Sequence, residues 1–317
     1  AFGVDIDPFE SELDNALKEL DELVTSLNYA LEFDMMYQGI LKKLNISPFP
    51  ATVKHFFDNL VRDINVQRKG KATLRGDFMD IILHLKQMKE VVDAKYEEGN
   101  KIEMTDDVIA AQAFLFYVAG YETSATTMGY LLYEIARHPE IQDKLIEEID
   151  TVMKAHGSSD VTYDQLNEMQ YLKNTFLETL RMYPVLDPLQ RIANVDYRVP
   201  DSDLVIKKNQ IVLISVKGIH YDEKYYPDPL VFDPNRFDSK LVNARHPAAY
   251  LPFGIGPRNC IGLRFGSIQS RLGIARMLSK FRVEVSEKTP ESITMNPQKI
   301  ISLSKETIYL NVVPRQN

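Results

Sequence analysis

One uninterrupted helical pattern constrains the fold of this chain more than any other sequence feature. Apolar residues recur at helical spacing after Thr105, with Asp106 and Asp107 in the first turn, until His138 and Pro139 break the pattern. Threonine is a favourable N-cap, and acidic residues favour the positive end of a helix. A helix of roughly 30 residues is about 45 Å long, which exceeds most helices of globular proteins. Because a helix of this length usually crosses an entire domain, the spacing predicts a helix that runs through the molecule.

The remaining segments predict a mainly α-helical fold with small β-sheets. Apolar periodicity predicts further helices at 13–31, from an N-cap at Thr52 through Ile64, at 77–88, from Pro139 through Ile149, at 163–182 and at 261–278. Alternating apolar residues predict short strands at 197–200, 210–214, 281–285 and 307–310, with a turn-rich stretch over 225–257. We therefore expect one domain over 1–317, helix-rich over 1–184 and mixed over 185–317.

Charge and cysteine content exclude several classes of protein. The chain has 317 residues, a formal net charge of −8 and one cysteine. An acidic chain lacks the basic surface that binds a phosphate backbone, so nucleic acid is not an expected partner. One cysteine excludes an intrachain disulfide, a multi-cysteine zinc site and a cysteine-held iron–sulfur cluster. No apolar run reaches the length of a membrane span, so the chain as given is expected to be a soluble piece.

The single cysteine lies in a glycine-containing loop, Phe253-Gly-Ile-Gly-Pro-Arg-Asn-Cys260-Ile-Gly262. Glycines allow a tight turn and the close approach of a flat ligand. Cys260 precedes a predicted helix, whose positive end favours the thiolate that binds metals. Arg258 supplies a cation suited to a carboxylate on the same ligand. A dinucleotide-binding loop is excluded because Asn259 stands where that motif requires a third glycine.

Two other motifs, an acid–base pair and a glycine- and threonine-containing stretch of the long helix, are too common to indicate a function by themselves. Glu178 and Arg181 lie three residues apart on one face of a predicted helix, next to apolar residues. Such pairs are usually exposed and contribute little to stability, whereas a buried pair needs further partners. In the long helix, Gly120 and Thr123 favour a local widening beside Glu122. An acid and an alcohol that face a buried site form a proton relay, although glycine and threonine also recur in long helices for packing.

The pattern Phe253-x-x-Gly256-x-Arg258-x-Cys260-x-Gly262 resembles the haem-binding signature of the cytochrome P450 family. The resemblance implies the family fold, mainly α with small β-sheets. It also implies that Cys260 is the axial thiolate ligand of the iron of haem b. The residues that it assigns to the haem are Cys260, Arg258, Arg191, Phe253, Gly256, Gly262 and Ala119, with Arg258 and Arg191 binding the propionates.

The resemblance also assigns the two remaining motifs. Ala119-Gly-Tyr-Glu-Thr123 matches the oxygen-activation motif, in which Thr123 and Glu122 are catalytic and deliver protons. Glu178 and Arg181 match the family's Glu-x-x-Arg motif, and Arg236 in Pro234-Asn-Arg-Phe237 is the third member of that structural triad.

The function that the resemblance implies is the insertion of one oxygen atom from O₂ into hydrophobic compounds, with insect microsomal enzymes as the most similar group. Plant toxins, insecticides and endogenous lipophiles are the expected substrates. Electrons are expected from NADPH by way of a reductase, with cytochrome b5 as an optional second donor. The expected location is the cytoplasmic face of the endoplasmic reticulum membrane, and the membrane anchor is expected in an absent N-terminal third of the family fold.

Two alternatives stay open. An oxygen-independent haem-thiolate isomerase would share Cys260, although Thr123 argues against it. A truncated, non-catalytic chain without haem would share every motif. Val185-Leu-Asp187-Pro188 departs from the family pattern by placing Asp187 in a stretch that normally lines the substrate pocket.

Overall fold

The computed structural model describes residues 34, 37, 39–47, 49–73, 75–87, 90–92 and 101–315. The chain divides into two compact units, Ala1–Tyr121 and Glu122–Asn317. Helices and small antiparallel sheets form both, which confirms the predicted fold class. The prediction of a single domain over 1–317 stays a prediction, and the helix predicted at 13–31 lies outside the described residues.

In the first unit, helices pack through apolar faces at helical spacing. Its described elements are α1 (Ile40–Leu44), α2 (Ala51–Gln67), α3 (Phe78–Gln87), β1 (Glu90–Val92), β2 (Lys101–Glu103) and the start of α4 (Asp106–Arg137). Its core contains Val53, Phe57, Val61 and Ile64 of α2, Met79 and Ile82 of α3, and Ile109, Ala110 and Ala113 of α4. Because α2 buries every third or fourth residue, one face of that helix packs into the core.

In the second unit, residues from the end of α4 join a larger core. Its helices are α5 (Pro139–Ala155), α6 (Tyr163–Leu166), α7 (Gln170–Met182), α8 (Val216–His220), α9 (Ser239–Ala244) and α10 (Leu263–Leu278), with 3₁₀ turns at Pro234–Phe237 and Pro247–Ala249. The core includes Leu131 and Ile135 of α4, Leu145 and Ile149 of α5, Leu172 and Phe176 of α7, and Ile274 and Leu278 of α10.

Three two-stranded antiparallel sheets belong to the second unit. Strand β3 (Leu189–Ile192) pairs with β6 (Ile211–Ile214), β4 (Tyr197–Arg198) with β5 (Val205–Ile206), and β7 (Phe281–Val285) with β8 (Leu310–Pro314). In the first of these, Arg191 lies opposite Val212. Within the described residues, no helix combines the length and the apolar character that spanning a bilayer requires.

Several predicted boundaries differ from the structure. The helix predicted at 163–182 is two helices, α6 and α7, since the chain turns at Asn167 between them. Helix α2 begins at Ala51 with Pro50 as its N-cap, so Thr52 lies inside the first turn. The strand predicted at 307–310 begins only at Leu310 and continues to Pro314. Helix α10 begins at Leu263 and not at 261, because residues 261 and 262 form a turn.

The long helix was predicted correctly at both ends. Thr105 accepts a hydrogen bond of 3.3 Å on its side-chain oxygen from the amide of Val108, as an N-cap does. The helix ends at Arg137, and Pro139 occupies the first turn of α5. All residues from 106 to 137 are α-helical, so the local widening expected at Gly120 is not present.

Candidate active site

Cys260 lies at the end of a hydrogen-bonded loop, three residues before α10 begins at Leu263. Its side chain is exposed. Its amide donates a hydrogen bond of 2.8 Å to the carbonyl of Phe253, and the amide of Asn259 donates one of 3.2 Å to the carbonyl of Gly256. These bonds close the loop on itself, so the thiol is presented from a fixed backbone.

Glycine is required at two positions of this loop. Gly254 and Gly256 have φ angles of +70° and +83°, in the left-handed region that other residues adopt at a cost. A third glycine, Gly262, is the N-cap of α10, and a Cβ atom built there would lie 3.8 Å from Sγ of Cys260. The sulfur therefore lies beside the N-terminal end of α10.

Exposed apolar side chains border the cysteine. Ile255, Ile261 and Phe265 are 54%, 87% and 57% exposed. The cysteine loop and the first turn of α10 therefore expose three apolar side chains. Phe253, which the resemblance assigned to the cofactor, packs its side chain against the main core of the second unit. It also supplies the carbonyl that holds the amide of Cys260.

Two arginines lie near this loop. Arg258 belongs to the loop and is exposed. On β3, Leu189 lies with Cδ1 3.9 Å from the position of a Cβ on Gly254. Residues two apart on a strand share a face, so Arg191 projects from the face of β3 that contacts the loop. Neither guanidinium forms an ion pair within the part of the chain that the structure describes, and each has the fork geometry that binds carboxylates.

The second half of the long helix packs closely against α10. A Cβ atom on Gly266 would lie 4.0 Å from Oγ of Ser124, and one on Gly273 would lie 3.1 Å from Sδ of Met128. The second distance is tighter than an ordinary van der Waals contact. The absence of side chains at these two glycines therefore lets α4 approach the helix that follows Cys260.

Glu122 and Thr123, the predicted acid and alcohol, directly precede Ser124 on this part of α4. Both are half-buried. The hydroxyl of Thr126 donates a long hydrogen bond of 3.4 Å to Oε1 of Glu122, and the hydroxyl of Thr127 donates one of 2.8 Å to the carbonyl of Thr123. Both residues therefore directly precede Ser124, which approaches Gly266 of α10. Ala119 is exposed and lies in the first unit, one turn earlier on the helix.

The structure brings Glu178, Arg181 and Arg236 together. Glu178 and Arg181 are fully buried and form two hydrogen bonds, of 2.7 Å from Nε to Oε2 and 2.9 Å from Nη2 to Oε1. Nε of Arg236 lies 3.4 Å from Oε1 of Glu178, which also accepts the amide of Asp233 at 2.9 Å. Burial raises the pKa of Glu178, and the hydrogen bonds from Arg181 oppose that rise.

His220 is fully buried, and its ring bonds to backbone groups on both sides. Arg181 donates a hydrogen bond of 3.0 Å to the carbonyl of His220, and Nδ1 of His220 lies 3.0 Å from the carbonyl of Arg181. Nε2 accepts the amide of Leu251 at 2.9 Å. Because Nδ1 meets an acceptor and Nε2 a donor, the ring is neutral with its proton on Nδ1. Burial lowers the pKa of His220 to about 4, which agrees with this state.

Asp187, the departure from the family pattern, has a structural contact. Its Oδ1 accepts the amides of Val216 at 2.7 Å and Lys217 at 3.3 Å, the first two residues of α8. The carboxylate therefore satisfies donors at the positive end of that short helix. Its neighbours also differ, since Leu186 is exposed whereas Val185 is buried in the core. A contact between residues 29 positions apart leaves no local signal in the sequence.

Comparison with known proteins shows the family of the chain. The Cytochrome P450 family model matches residues 1–312. The chain is 52% identical over 317 residues to cytochrome P450 6B6 of Helicoverpa armigera. The aligned region covers 100% of this chain and 62% of that protein. It is 49% identical to cytochrome P450 6B1 of Papilio polyxenes, over 99% of this chain and 63% of that protein. It is 38% identical to cytochrome P450 6a2 of Drosophila melanogaster, over 98% of this chain and 62% of that protein.

The chain spans less than two thirds of the length of these relatives. The family model nevertheless covers almost all of it, and the matched residues include the loop around Cys260, the Glu178–Arg181 pair and the whole of the long helix. The chain belongs to the cytochrome P450 family.

Proposed function

We propose that this protein is a haem-thiolate monooxygenase that inserts one oxygen atom from O₂ into hydrophobic molecules. Plant toxins, insecticides and endogenous lipophiles are the proposed substrates. The observation that carries the proposal is the exposed thiol of Cys260 beside the N-terminal end of α10, in a loop bordered by Arg191 and Arg258. Membership of the cytochrome P450 family supports it.

The residues at this site fit haem b. Cys260 would hold the iron as its axial thiolate ligand, and Arg191 and Arg258 would bind the two carboxylates. The backbone at Gly256 and Gly262 presents little bulk to a flat ring, and the exposed apolar side chains beside the loop suit a porphyrin face. When bound, the haem iron supplies the activation of O₂, which amino acid side chains do not provide.

Residues at the middle of α4 would transfer protons. Glu122 is an acid held beside the site by its helix, and the hydroxyl of Thr126 donates to one of its oxygens. Thr123 carries a hydroxyl that both accepts and donates a hydrogen bond, so a proton can pass from Glu122 to Thr123 and onward. Removal of either group is expected to slow oxygen insertion more than it weakens substrate binding.

The buried triad would position the loop and take no part in the chemistry. Arg181 bonds to Glu178 and to the carbonyl of His220, and His220 accepts the amide of Leu251, two residues before Phe253. A rigid link of this kind keeps the thiol at one place, as a preorganised site requires.

The proposed partners follow from the family. Electrons would come from NADPH by way of a flavoprotein reductase, with cytochrome b5 as an optional second donor. The proposed location is the cytoplasmic face of the endoplasmic reticulum membrane.

Isotope labelling tests the proposal. The haem-loaded protein is supplied with NADPH, a reductase and a lipophilic plant toxin under heavy-isotope O₂. We expect one labelled oxygen atom in each product molecule, and no product from Cys260→Ala. Conversion of substrate without incorporation of label would contradict the proposal and favour an oxygen-independent isomerase.

A further inference from the structure

Glu122 stands at one end of a ridge on α4 that faces the C-terminal part of the chain. Glu122, Thr126 and Tyr130 are spaced four residues apart, so they lie on one face of the helix. Thr126 donates its hydroxyl to Glu122, as described above, and the hydroxyl of Tyr130 donates a hydrogen bond of 2.7 Å to the carbonyl of Ser302. The ridge therefore leads from the proposed proton donor to the segment around Ser302.

A small cavity opens between this ridge and the C-terminal segment, and we call it the Glu306 pocket. Its volume is about 240 Å³. It is lined by Thr126, Gly129, Tyr130, Leu303, Ser304, Glu306 and Ile308. A water molecule occupies about 30 Å³ of liquid and needs two to four polar partners. The hydroxyls of Thr126 and Ser304 and the carboxylate of Glu306 supply such partners, so the pocket has the size and the polar groups to hold several waters.

Glu306 is fixed at this pocket as an ionised acid. Its Oε2 accepts the amide of Thr294 at 2.9 Å and the hydroxyl of Ser304 at 3.1 Å. The backbone hydrogen bond from Thr294 is the main cause that lowers the pKa of Glu306. Its charge is available to attract protons from solvent, because the carboxylate forms no ion pair with a described residue.

The phenol of Tyr130 lies in the electrostatic field of both acids. Burial is the main cause that raises the pKa of Tyr130, and the negative charges of Glu306 and Glu122 add to the rise. Both carboxylates therefore lie close enough to one phenol to act on it. The ionisable groups around the pocket, among the described residues, are Tyr130 and Glu306, with Glu122 behind Thr126.

We propose that the Glu306 pocket is the hydrated inlet through which a proton from solvent reaches Glu122, with Glu306 as the positioning residue that holds the water. The inference rests on the proposed function, in which Glu122 passes protons to Thr123. A pocket water gives a proton to Oγ1 of Thr126 as the hydroxyl proton of Thr126 passes to Oε1 of Glu122. Each transfer breaks one O–H bond and forms one, and solvent reprotonates the pocket water. The net change is one proton moved from solvent to Glu122.

Two substitutions test the inlet by different means. Glu306→Gln keeps an acceptor for Thr294 and Ser304 but removes the negative charge, whereas Glu306→Asp keeps the negative charge. Gly129→Leu fills the pocket from the other side, and a Cβ at Gly129 would meet no atom within 4 Å. Glu287→Gln removes the same charge from an exposed position outside the pocket and serves as the matched control.

The first readout is kinetic. Each haem-loaded variant, checked by its reduced carbon monoxide spectrum, is assayed with NADPH and a reductase across pH 6 to 9. We expect Glu306→Gln and Gly129→Leu to lower product formation about five- to ten-fold, less than the roughly 100-fold or more that a direct acid contributes. The decrease in product formation should become larger as pH rises, and a larger share of the electrons should be released as hydrogen peroxide. Glu306→Asp should recover the rate to within about two-fold, and Glu287→Gln should match the unmodified protein.

The second readout does not depend on turnover. A crystal structure of the haem-loaded protein is expected to show ordered waters that connect Oγ1 of Thr126 with Glu306, and Gly129→Leu is expected to displace them. A dry pocket would overturn the inlet, and so would unchanged rates and pH profiles in both Glu306→Gln and Gly129→Leu. If labelled oxygen enters the product while these variants behave as the unmodified protein, the proposal of an inlet is contradicted and the proposed function stands. If the unmodified protein shows no thiolate-type spectrum, the proposed function and the inlet fail together.

Discussion

Leu251 donates its backbone amide to Nε2 of the buried His220 at a distance of 2.9 Å. Through this bond the network of Glu178 and Arg181 reaches the loop that presents Cys260. Both ring nitrogens of His220 form hydrogen bonds with backbone groups, so the ring cannot gain a proton without breaking one of these two hydrogen bonds.

We predict that stability falls in mild acid because of His220. Its pKa is about 4 in the folded protein and about 6.5 in the unfolded chain, so the unfolded state binds the proton first. The contribution of the neutral ring is complete above about pH 6.5 and is lost as pH falls to about 4. The loss amounts to about 3 kcal/mol, at 1.36 kcal/mol per pKa unit.

Urea unfolding at pH 7, 6, 5 and 4 measures this loss. In His220→Phe this site binds no proton in the folded or the unfolded protein. The slope of the unfolding free energy against pH should therefore decrease by up to the amount that corresponds to one bound proton. An equal slope in both proteins would contradict the assignment of a neutral His220.

Breaking the buried pair is predicted to destabilise the protein strongly. Glu178→Gln leaves the guanidinium of Arg181 buried without its counter-charge, and such losses cost about 3–5 kcal/mol. Thermal unfolding followed by circular dichroism should show a large fall in melting temperature. The exposed pair of Arg198 and Asp203 offers the control, and Asp203→Asn should leave the midpoint unchanged. Comparable effects of the two substitutions would argue against the buried role of Glu178.

Gly256→Ala is predicted to strain the cysteine loop without any steric clash. The φ angle of +83° costs an alanine about 1–2 kcal/mol, and a Cβ there would meet no atom within 4 Å. Haem affinity, measured by titration of the haem-free protein, should therefore fall together with stability. Gly129→Ala in the interior of α4 is the matched control and should raise stability by about 1 kcal/mol. A Gly256→Ala protein with unchanged haem affinity would show that the loop tolerates another backbone conformation.

Asp187 is predicted to stabilise α8 and to leave substrate preference unaffected. Asp187→Ala removes the acceptor for the amides of Val216 and Lys217, and losses of this type cost about 1 kcal/mol. Asp187→Asn keeps an oxygen in place and should recover most of the stability. Urea unfolding measures the first effect, and product ratios on two lipophilic substrates of different shape measure the second. A changed product ratio at unchanged stability would instead place Asp187 at the substrate.

Local patterns predicted the helices well because their causes are local. The long helix is recognised by the cap at Thr105, the acidic first turn and the break at Pro139, all of which act within a few residues. The division of 163–182 into two helices was missed, because the turn at Asn167 interrupts no apolar period. The widening expected at Gly120 was wrong, since a glycine weakens a helix without forcing its hydrogen bonds to change register.

Contacts between residues far apart in the chain could not be predicted from the sequence. The pairing of Glu178 with Arg181 follows from a spacing of three, but the contact with Arg236 was assigned only by resemblance to a family. The bonds from His220 to Leu251 and from Asp187 to Val216 join residues about 30 positions apart, and nothing in the local sequence marks them. The Glu306 pocket needs α4 and the C-terminal segment to be placed side by side, which only a folded structure provides.

The central claim, that Cys260 is the thiolate ligand of a haem iron, is tested most directly by the reduced, carbon monoxide-bound absorption spectrum. The unmodified protein and Cys260→Ala are loaded with haem, reduced and saturated with the gas. We predict the red-shifted Soret band of a thiolate-ligated complex in the unmodified protein and its absence in Cys260→Ala. That band in Cys260→Ala, or its absence from folded, haem-loaded unmodified protein, would contradict the claim.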